Sequence, residues 1–329
     1  MRWTRVRESA DERATATRSN VQSRAAGALH DLAGWPSGRL HVALGVFDGV
    51  HLGHRALVVH LVRGARAAGA TAIAVTFDPL PIEVLAPGAP PSALSDAEER
   101  TALLRGAGAD AVALLRFDGT FAALAPEAFV ASLTGAGAID RVVVGGDFRF
   151  GHGRSGDLRL LRELGLQRGF EVDEFPPLAV GGAIVSSTRI RNALRAGEVE
   201  LAAALLGRPY AVRGTVVHGE QRGRGLGYPT INIETPPARL LPKDGIYAMW
   251  VEVGGARRGA AASLGLRPTF GSGPRRLEAF LLDFSGELYD APVRASFVRH
   301  LRDELAFETP EALAAQIARD VEATRAALR

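Results

Sequence analysis

The sequence predicts an α/β protein of two domains: a doubly wound parallel sheet first, then a small antiparallel β-barrel with a terminal α-helix. Three observations predict it. Apolar runs alternate with helical patterns through the first part of the chain. After Leu206-Gly207-Arg208-Pro209 the pattern changes to short β-like runs separated by Gly/Pro turns. The chain closes on a single apolar helical face.

The elements follow in order. Residues from Met1 to about Pro36 are polar and rich in Arg, Ala, Ser and Thr, and Glu8, Asp11 and Glu12 argue against a transit peptide. Residues 1–36 are expected to be a disordered tail or an overlong start. Apolar stretches at His41–Leu44, Ala72–Phe77, Ala111–Leu115 and Val142–Val144 read as buried strands. Helical patterns lie between them, as at Arg55–Ala68. The pattern at Asp96–Arg105 opens with a capping box of Ser95 and Glu98. Such alternation implies a parallel sheet, whose ligands sit at the carboxyl ends of the strands. The β-like runs are Tyr210–Val217, Tyr247–Val253, Arg276–Leu282 and Val293–Phe297. Thr309 is the expected cap of the last helix, with Pro310 in its first turn and Leu313, Ile317, Val321 and Leu328 on one face. The expected domains are 37–207 and 208–329, and the second is expected to fold as a fragment of its own.

Composition excludes several classes of function. The 329 residues are 47% apolar and 23% charged, as in ordinary globular proteins, and no run is long and apolar enough to span a bilayer. There is no cysteine, hence no disulfide, thiolate metal site or thiol nucleophile, and a cytoplasmic location is expected. The pI of about 9.7 comes from a net charge of only +3, carried almost wholly by arginine. No basic block is interleaved with aromatics, so no nucleic-acid partner is expected. Lys243 is the only lysine and lies in Leu-Pro-Lys-Asp-Gly, which rules out a Walker-A loop. Phosphate chemistry must then fall to backbone N–H groups, Arg, His and a metal ion.

The first strand runs into Gly45-Val46-Phe47-Asp48-Gly49-Val50-His51-Leu52-Gly53-His54, and a helix follows. Glycines let the backbone approach a ligand, and a helix N-terminus presents free N–H groups to an anion. His51 and His54, three apart, can face one phosphate and stabilise charge at a phosphoryl centre under attack. A zinc site would need a third protein ligand, and no Cys is available. Val144-Gly145-Gly146-Asp147-Phe148-Arg149-Phe150-Gly151 follows the fourth strand. Further on stands Ser186-Ser187-Thr188-Arg189-Ile190-Arg191, where Ser187 or Thr188 can cap a helix and Arg189 and Arg191 can make bidentate contacts. GxFDGxHxGH resembles the signature of the nucleotidyltransferase superfamily. With GxDFRFG and SSTxIR after it in that order, the chain resembles the bacterial bifunctional riboflavin kinase/FAD synthetases. The resemblance implies catalytic roles for His51, His54 and Arg189. It implies nucleotide or flavin binding by Gly45, Phe47, Asp48, Gly49, Asp78, Asp147, Phe148, Ser187, Thr188 and Arg191. One departure stands at Leu80, between Pro79 and Pro81, where the family usually has His.

The second constellation is Gly214-Thr215-Val216-Val217-His218-Gly219, then Arg222-Gly223-Arg224-Gly225-Leu226-Gly227-Tyr228-Pro229-Thr230-Ile231-Asn232. So glycine-rich a loop can wrap phosphates with N–H groups. Thr230 and Asn232, two apart on a strand, point the same way and offer hard oxygen ligands to Mg²⁺. Gly223-x-Gly225-x-Gly227 lacks dinucleotide spacing and a following helix. The run resembles the riboflavin kinase signature GxPTAN, with Ile231 for the usual Ala. By that resemblance Gly219, Arg222, Gly223, Gly227 and Pro229 bind nucleotide or flavin, and Thr230 and Asn232 hold the metal. Leu264–Gly271 and Leu277–Phe284 are also family-like, although Arg267 stands where Asn is frequent. Glu278 lies in an otherwise apolar run, where a carboxylate is expensive unless paired or functional. From the residue alone, an edge-strand Glu facing water is an equal alternative; the resemblance makes it the catalytic base.

Taken whole, the resemblance implies phosphorylation of riboflavin to FMN and adenylylation of FMN to FAD with release of pyrophosphate. ATP is the co-substrate of both steps and Mg²⁺ the cofactor. Expected partners are these small molecules, with no membrane and no nucleic acid, and no self-association face is legible. The alternatives are retention of one activity only, a non-catalytic flavin-binding regulator, and an RNA-binding protein on the first fold.

Overall fold

The computed structural model describes residues 35–219, 227–265 and 275–329. Residues 1–34 of the expected tail, and Arg222, Gly223 and Arg267, lie outside the described residues, whereas Trp35 packs against the apolar core of the first unit. Contacts divide the chain into two compact units. The first takes the chain up to Phe47, His54–Ala89 and Ala97–Pro177; the second takes Asp48–Gly53, Pro90–Asp96 and Leu178–Arg329.

The first unit alternates strand and helix: β1 (Arg39–Leu44), α1 (Leu52–Ala68), β2 (Thr71–Asp78), α2 (Pro81–Leu85), α3 (Ala97–Gly106), β3 (Ala111–Arg116), α4 (Gly119–Ala122), α5 (Pro126–Gly135), β4 (Ala138–Gly145), α6 (Leu158–Arg168) and β5 (Glu171–Phe175). The five strands form one parallel sheet in the order β3-β2-β1-β4-β5. The order reverses between β1 and β4, and such a switch point opens a ligand crevice at the carboxyl ends. Strand β1 is apolar because both its faces are covered: Leu40, Val42, Ala43 and Leu44 are all buried. Helix α1 lays Leu57, Val58, Leu61, Val62 and Ala65 inward at helical spacing. Asp157 caps α6 by accepting from the Leu160 N–H, and Gly169 ends it in the left-handed region at φ 83°.

The second unit carries the hairpin β6 (Ala179–Val180) and β7 (Ala183–Ile184), then α7 (Ser187–Ala196) and α8 (Val199–Leu206). There follow β8 (Tyr210–Val217), β9 (Thr230–Glu234), β10 (Gly245–Val253), β11 (Ala256–Gly265), β12 (Arg276–Leu281), β13 (Pro292–Arg302) and α9 (Pro310–Ala327). Strands β8–β13 close into an antiparallel barrel in the order β10-β11-β12-β9-β8-β13. Thr309 caps α9 by accepting from the Ala312 N–H, with Pro310 in the first turn as expected.

Four expectations need correction. The strands β5 and β11 carry no strong β signal: β5 reads Glu-Val-Asp-Glu-Phe and β11 is rich in Ala, Gly and Arg. The capping box at Ser95 and Glu98 is displaced, because α3 begins at Ala97 and the Ser95 hydroxyl accepts from the Gly49 N–H at 2.8 Å. The cap of α7 is Ser186, whose hydroxyl accepts from the Arg189 N–H, rather than Ser187 or Thr188. Finally, the barrel core does not stop at residue 208. Ile190, Ala193, Leu194, Val199, Leu205 and Leu206 of α7 and α8 share one apolar cluster with Tyr210, Val212, Val251 and Phe297.

Candidate active sites

In the first unit the carboxyl ends of the strands gather aromatic rings. Phe77, next to last in β2, lies edge-on to Phe117 and Phe121, at 5.8 and 5.6 Å between centroids. Phe121 continues to Phe129 and Phe150, and Phe148 stacks on Phe150 at 5.6 Å. Phe117 and Phe121 carry no motif and were not singled out from sequence; their signal is position alone, just past the end of β3. Asp78 closes β2 before a cis bond to Pro79, 3.8 Å from the buried guanidinium of Arg100. Asp147 is exposed beyond β4. Such a cluster of rings beside exposed carboxylates suits an aromatic ligand with a polar tail.

Gly45 follows β1, and Phe47 folds back over it: a Cβ on Gly45 would stand 3.0 Å from the ring. Phe47 is buried and meets His54, in the first turn of α1, edge-on at 5.2 Å. The backbone is strained here. Phe47, Gly49 and Val50 all have positive φ, at 50°, 79° and 38°. For a β-branched residue such as Val50 this is a rare conformation, costing about 1–3 kcal/mol.

Residues Asp48–Gly53 belong to the second unit, and residues of that same unit hold them. The Asp48 carboxylate is 1% exposed and accepts from the N–H groups of Leu94 at 2.9 Å and Ser95 at 3.0 Å. It also accepts from the Ser95 hydroxyl at 3.2 Å and the Arg191 guanidinium at 2.7 Å. Its own carbonyl accepts from the Ser187 hydroxyl at 2.9 Å. Asp48, Ser187 and Arg191 therefore build the loop from within. A side chain at Gly49 would strike Leu94 at 3.0 Å. His51 is buried at the entry to α1, its ring 3.1 Å from where a Gly53 Cβ would sit. Arg189 donates through Nη1 to the carbonyls of Val180 at 2.9 Å and Ala183 at 2.8 Å in the β6–β7 hairpin. Thr188 is exposed in the first turn of α7.

The barrel brings together a second set. In the register of β12 with β9, Glu278 stands opposite Asn232 and Phe280 opposite Thr230. Leu277, Ala279, Leu281 and Ile233 point into the core, and Ile231 packs against it, so Glu278, Thr230 and Asn232 share the outer face. The sequence argument that Glu278 is costly in an apolar strand is corrected by this alternation: the carboxylate faces away from the core. Asn232 is 7% exposed, and its Oδ1 has no hydrogen-bond partner among the described residues. Gly219 makes room for it, since a Cβ there would come within 2.1 Å of the Asn232 amide. Tyr228 meets Phe280 edge-on at 5.3 Å, and His218 stacks on Tyr289 at 3.8 Å, so rings stand near both ends of this face. Gly227, at φ 84°, and Pro229 are exposed on the approach to β9.

A switch-point sheet, a strained glycine loop, and a barrel carrying a carboxylate opposite a buried amide oxygen that is unsatisfied among the described residues are features of a nucleotide-using enzyme. Comparison with known proteins gives the family. The FAD synthetase family model matches residues 36–189 and the riboflavin kinase model matches residues 206–328. The bifunctional riboflavin kinase/FMN adenylyltransferase of Escherichia coli K12 is 37% identical over 89% of this chain and 94% of its own. That of Pseudomonas fluorescens is 39% identical over 91% and 96%. A solved structure from Streptococcus pneumoniae, described as a macrolide-efflux protein, superposes with a TM-score of 0.81 at 34% identity, covering 89% of this chain and 95% of its own. No helix among the described residues of the present chain is long and apolar enough to cross a membrane. The chain belongs to the bifunctional riboflavin kinase/FMN adenylyltransferase family.

Proposed function

We propose that the barrel phosphorylates riboflavin to FMN and that the parallel-sheet domain adenylylates FMN to FAD, each with ATP. The observation that carries this reading is that two independent motif sets fold into two separate constellations. The motifs divide at the proposed boundary of 37–207 and 208–329, while α7 and α8 pack into the barrel core.

In the kinase step the 5′-oxygen of riboflavin bonds to the γ-phosphorus, the bond to ADP breaks, and Glu278 takes the hydroxyl proton. Thr230 and Asn232 are the residues that would hold Mg²⁺. The Asn232 Oδ1, buried and without a hydrogen-bond partner among the described residues, fits a hard cation, which would neutralise charge on the ATP phosphates. In the adenylyl step an oxygen of the FMN phosphate bonds to the α-phosphorus and pyrophosphate leaves. His51 and His54 stabilise the charge that develops there. The aromatic cluster of Phe77, Phe117 and Phe121 is suited to the edge or face of a flavin ring. Incubation with riboflavin, ATP and Mg²⁺, with the flavins then separated, is expected to show FMN first and FAD after it. Absence of either product contradicts the reading for the corresponding domain.

A further inference from the structure

Arg208 belongs to neither motif set, yet it grips the strained loop. Its guanidinium donates to the Gly49 carbonyl at 2.7 Å and to the Val50 carbonyl at 3.2 Å, and also reaches the Leu206 carbonyl at 3.3 Å. A peptide group is planar and trans, so its C=O and N–H point in opposite directions. Drawing the Gly49 and Val50 carbonyls toward one cation therefore turns the N–H groups of Val50 and His51 the other way. Successive N–H groups aimed together from a turn form a nest for an anion. The positive charge behind the carbonyls also favours the conformation that Val50, at φ 38°, adopts at a cost.

The same loop is tied at its other side. Leu94 and Ser95, which bind the Asp48 carboxylate, adjoin Ala93. Ala93 pairs with the barrel approach: its N–H donates to the Ala238 carbonyl at 3.1 Å and its carbonyl accepts from the Leu240 N–H at 3.0 Å. The Leu240 carbonyl in turn accepts from the Tyr210 hydroxyl at 2.6 Å. Tyr210 opens β8, two residues after Arg208. The contacts thus form a ring: Asp48, Leu94, Ala93, Leu240, Tyr210, Arg208 and back to Gly49.

We propose that Arg208 is a positioning residue for adenylylation: it shapes the phosphate loop from the segment just ahead of the first barrel strand, acting through the Gly49 and Val50 carbonyls. The proposal rests on the assignment of FAD synthesis to this loop. The test uses full-length protein, as wild type, Arg208→Met and Arg208→Lys. For FAD formation from supplied FMN, Arg208→Met is expected to lower kcat/KM for ATP by roughly ten- to a hundredfold, the effect of losing charge-assisted hydrogen bonds. The KM for FMN should stay within about twofold, and riboflavin phosphorylation by the same preparation likewise. Arg208→Lys, a point charge able to serve one carbonyl, should recover part of the loss. Direct binding of pyrophosphate should weaken in the same order. Unchanged adenylylation in Arg208→Met overturns the proposal. So does a joint fall of both activities with a lowered Tm and no recovery in Arg208→Lys, which is the mark of a purely structural role. Failure of the wild type to make FAD overturns instead the reading on which the proposal rests.

Discussion

Residues that look alike in the sequence do different work. Asp48 stands in the middle of a phosphate motif, but its carboxylate is buried under four donor groups and fixes the loop. Glu278 stands in an apolar run, but it faces outward beside Asn232. As the base, Glu278→Gln should lower riboflavin phosphorylation by about 10²–10⁴-fold and leave adenylylation of supplied FMN intact. Near-normal phosphorylation would show that another group takes the proton. Leu80 departs from the family's His, and its side chain is 2% exposed at the start of α2. Burial among protein atoms gives leucine a packing role there. Leu80→His is therefore expected to lower Tm and not to raise the adenylylation rate; a faster variant with unchanged Tm would assign the position to catalysis. His41 is a third case. It is 3% exposed, its Nδ1 has no partner among the described residues, and burial followed by the Arg141 charge pushes its pKa down. The unfolded chain then holds the proton more tightly. The stability linked to His41 is complete above its unfolded pKa of about 6.5 and is lost as pH falls through the lower folded value. Between about pH 7.5 and about pH 5.5 the Tm of wild type should fall further than that of His41→Leu. Equal falls would remove His41 as the cause.

The elements show why part of the fold was legible and part was not. Strands β1, β2 and β4 were readable because parallel strands buried on both faces are continuously apolar. The cap of α9 was readable because Thr-Pro places both its signals next to each other. Strand β11 was not, since Ala and Gly fit a barrel wall through packing against neighbours that spacing does not reveal. The motifs of both sites were legible, and so was the shared face of Thr230 and Asn232. The supports were not: Arg191 and Arg208 reach Asp48 and Gly49 across 143 and 159 residues, and only the fold brings them there. Helices α7 and α8 make the same point about domains. Ile190, Leu194, Val199, Leu205 and Leu206 are buried in the barrel's own core. At about 1.5–3 kcal/mol for each side chain, these residues outweigh the usual margin of a domain. A fragment starting at Arg208 is expected to aggregate or to melt without cooperativity, whereas one starting at Leu178 should unfold cooperatively and phosphorylate riboflavin. Equal folding of the two in calorimetry would show that α7 and α8 are dispensable.

On the scale of the whole molecule, two chemistries share one chain, and each has its own motif set, its own sheet and its own charged groups. Free FMN links them: it is the product of one step and the substrate of the other. Variants damaged at opposite ends should therefore complement each other in solution. Glu278→Gln is expected to retain adenylylation and His54→Ala to retain riboflavin phosphorylation. The most direct measurement is the yield of FAD from riboflavin, ATP and Mg²⁺ with each variant alone and with the two mixed in equal amounts. The account predicts little FAD from either variant alone, FMN accumulation with His54→Ala, and FAD production restored in the mixture. Full FAD synthesis by either variant alone, or a mixture that makes none while each variant keeps its remaining activity, would contradict it.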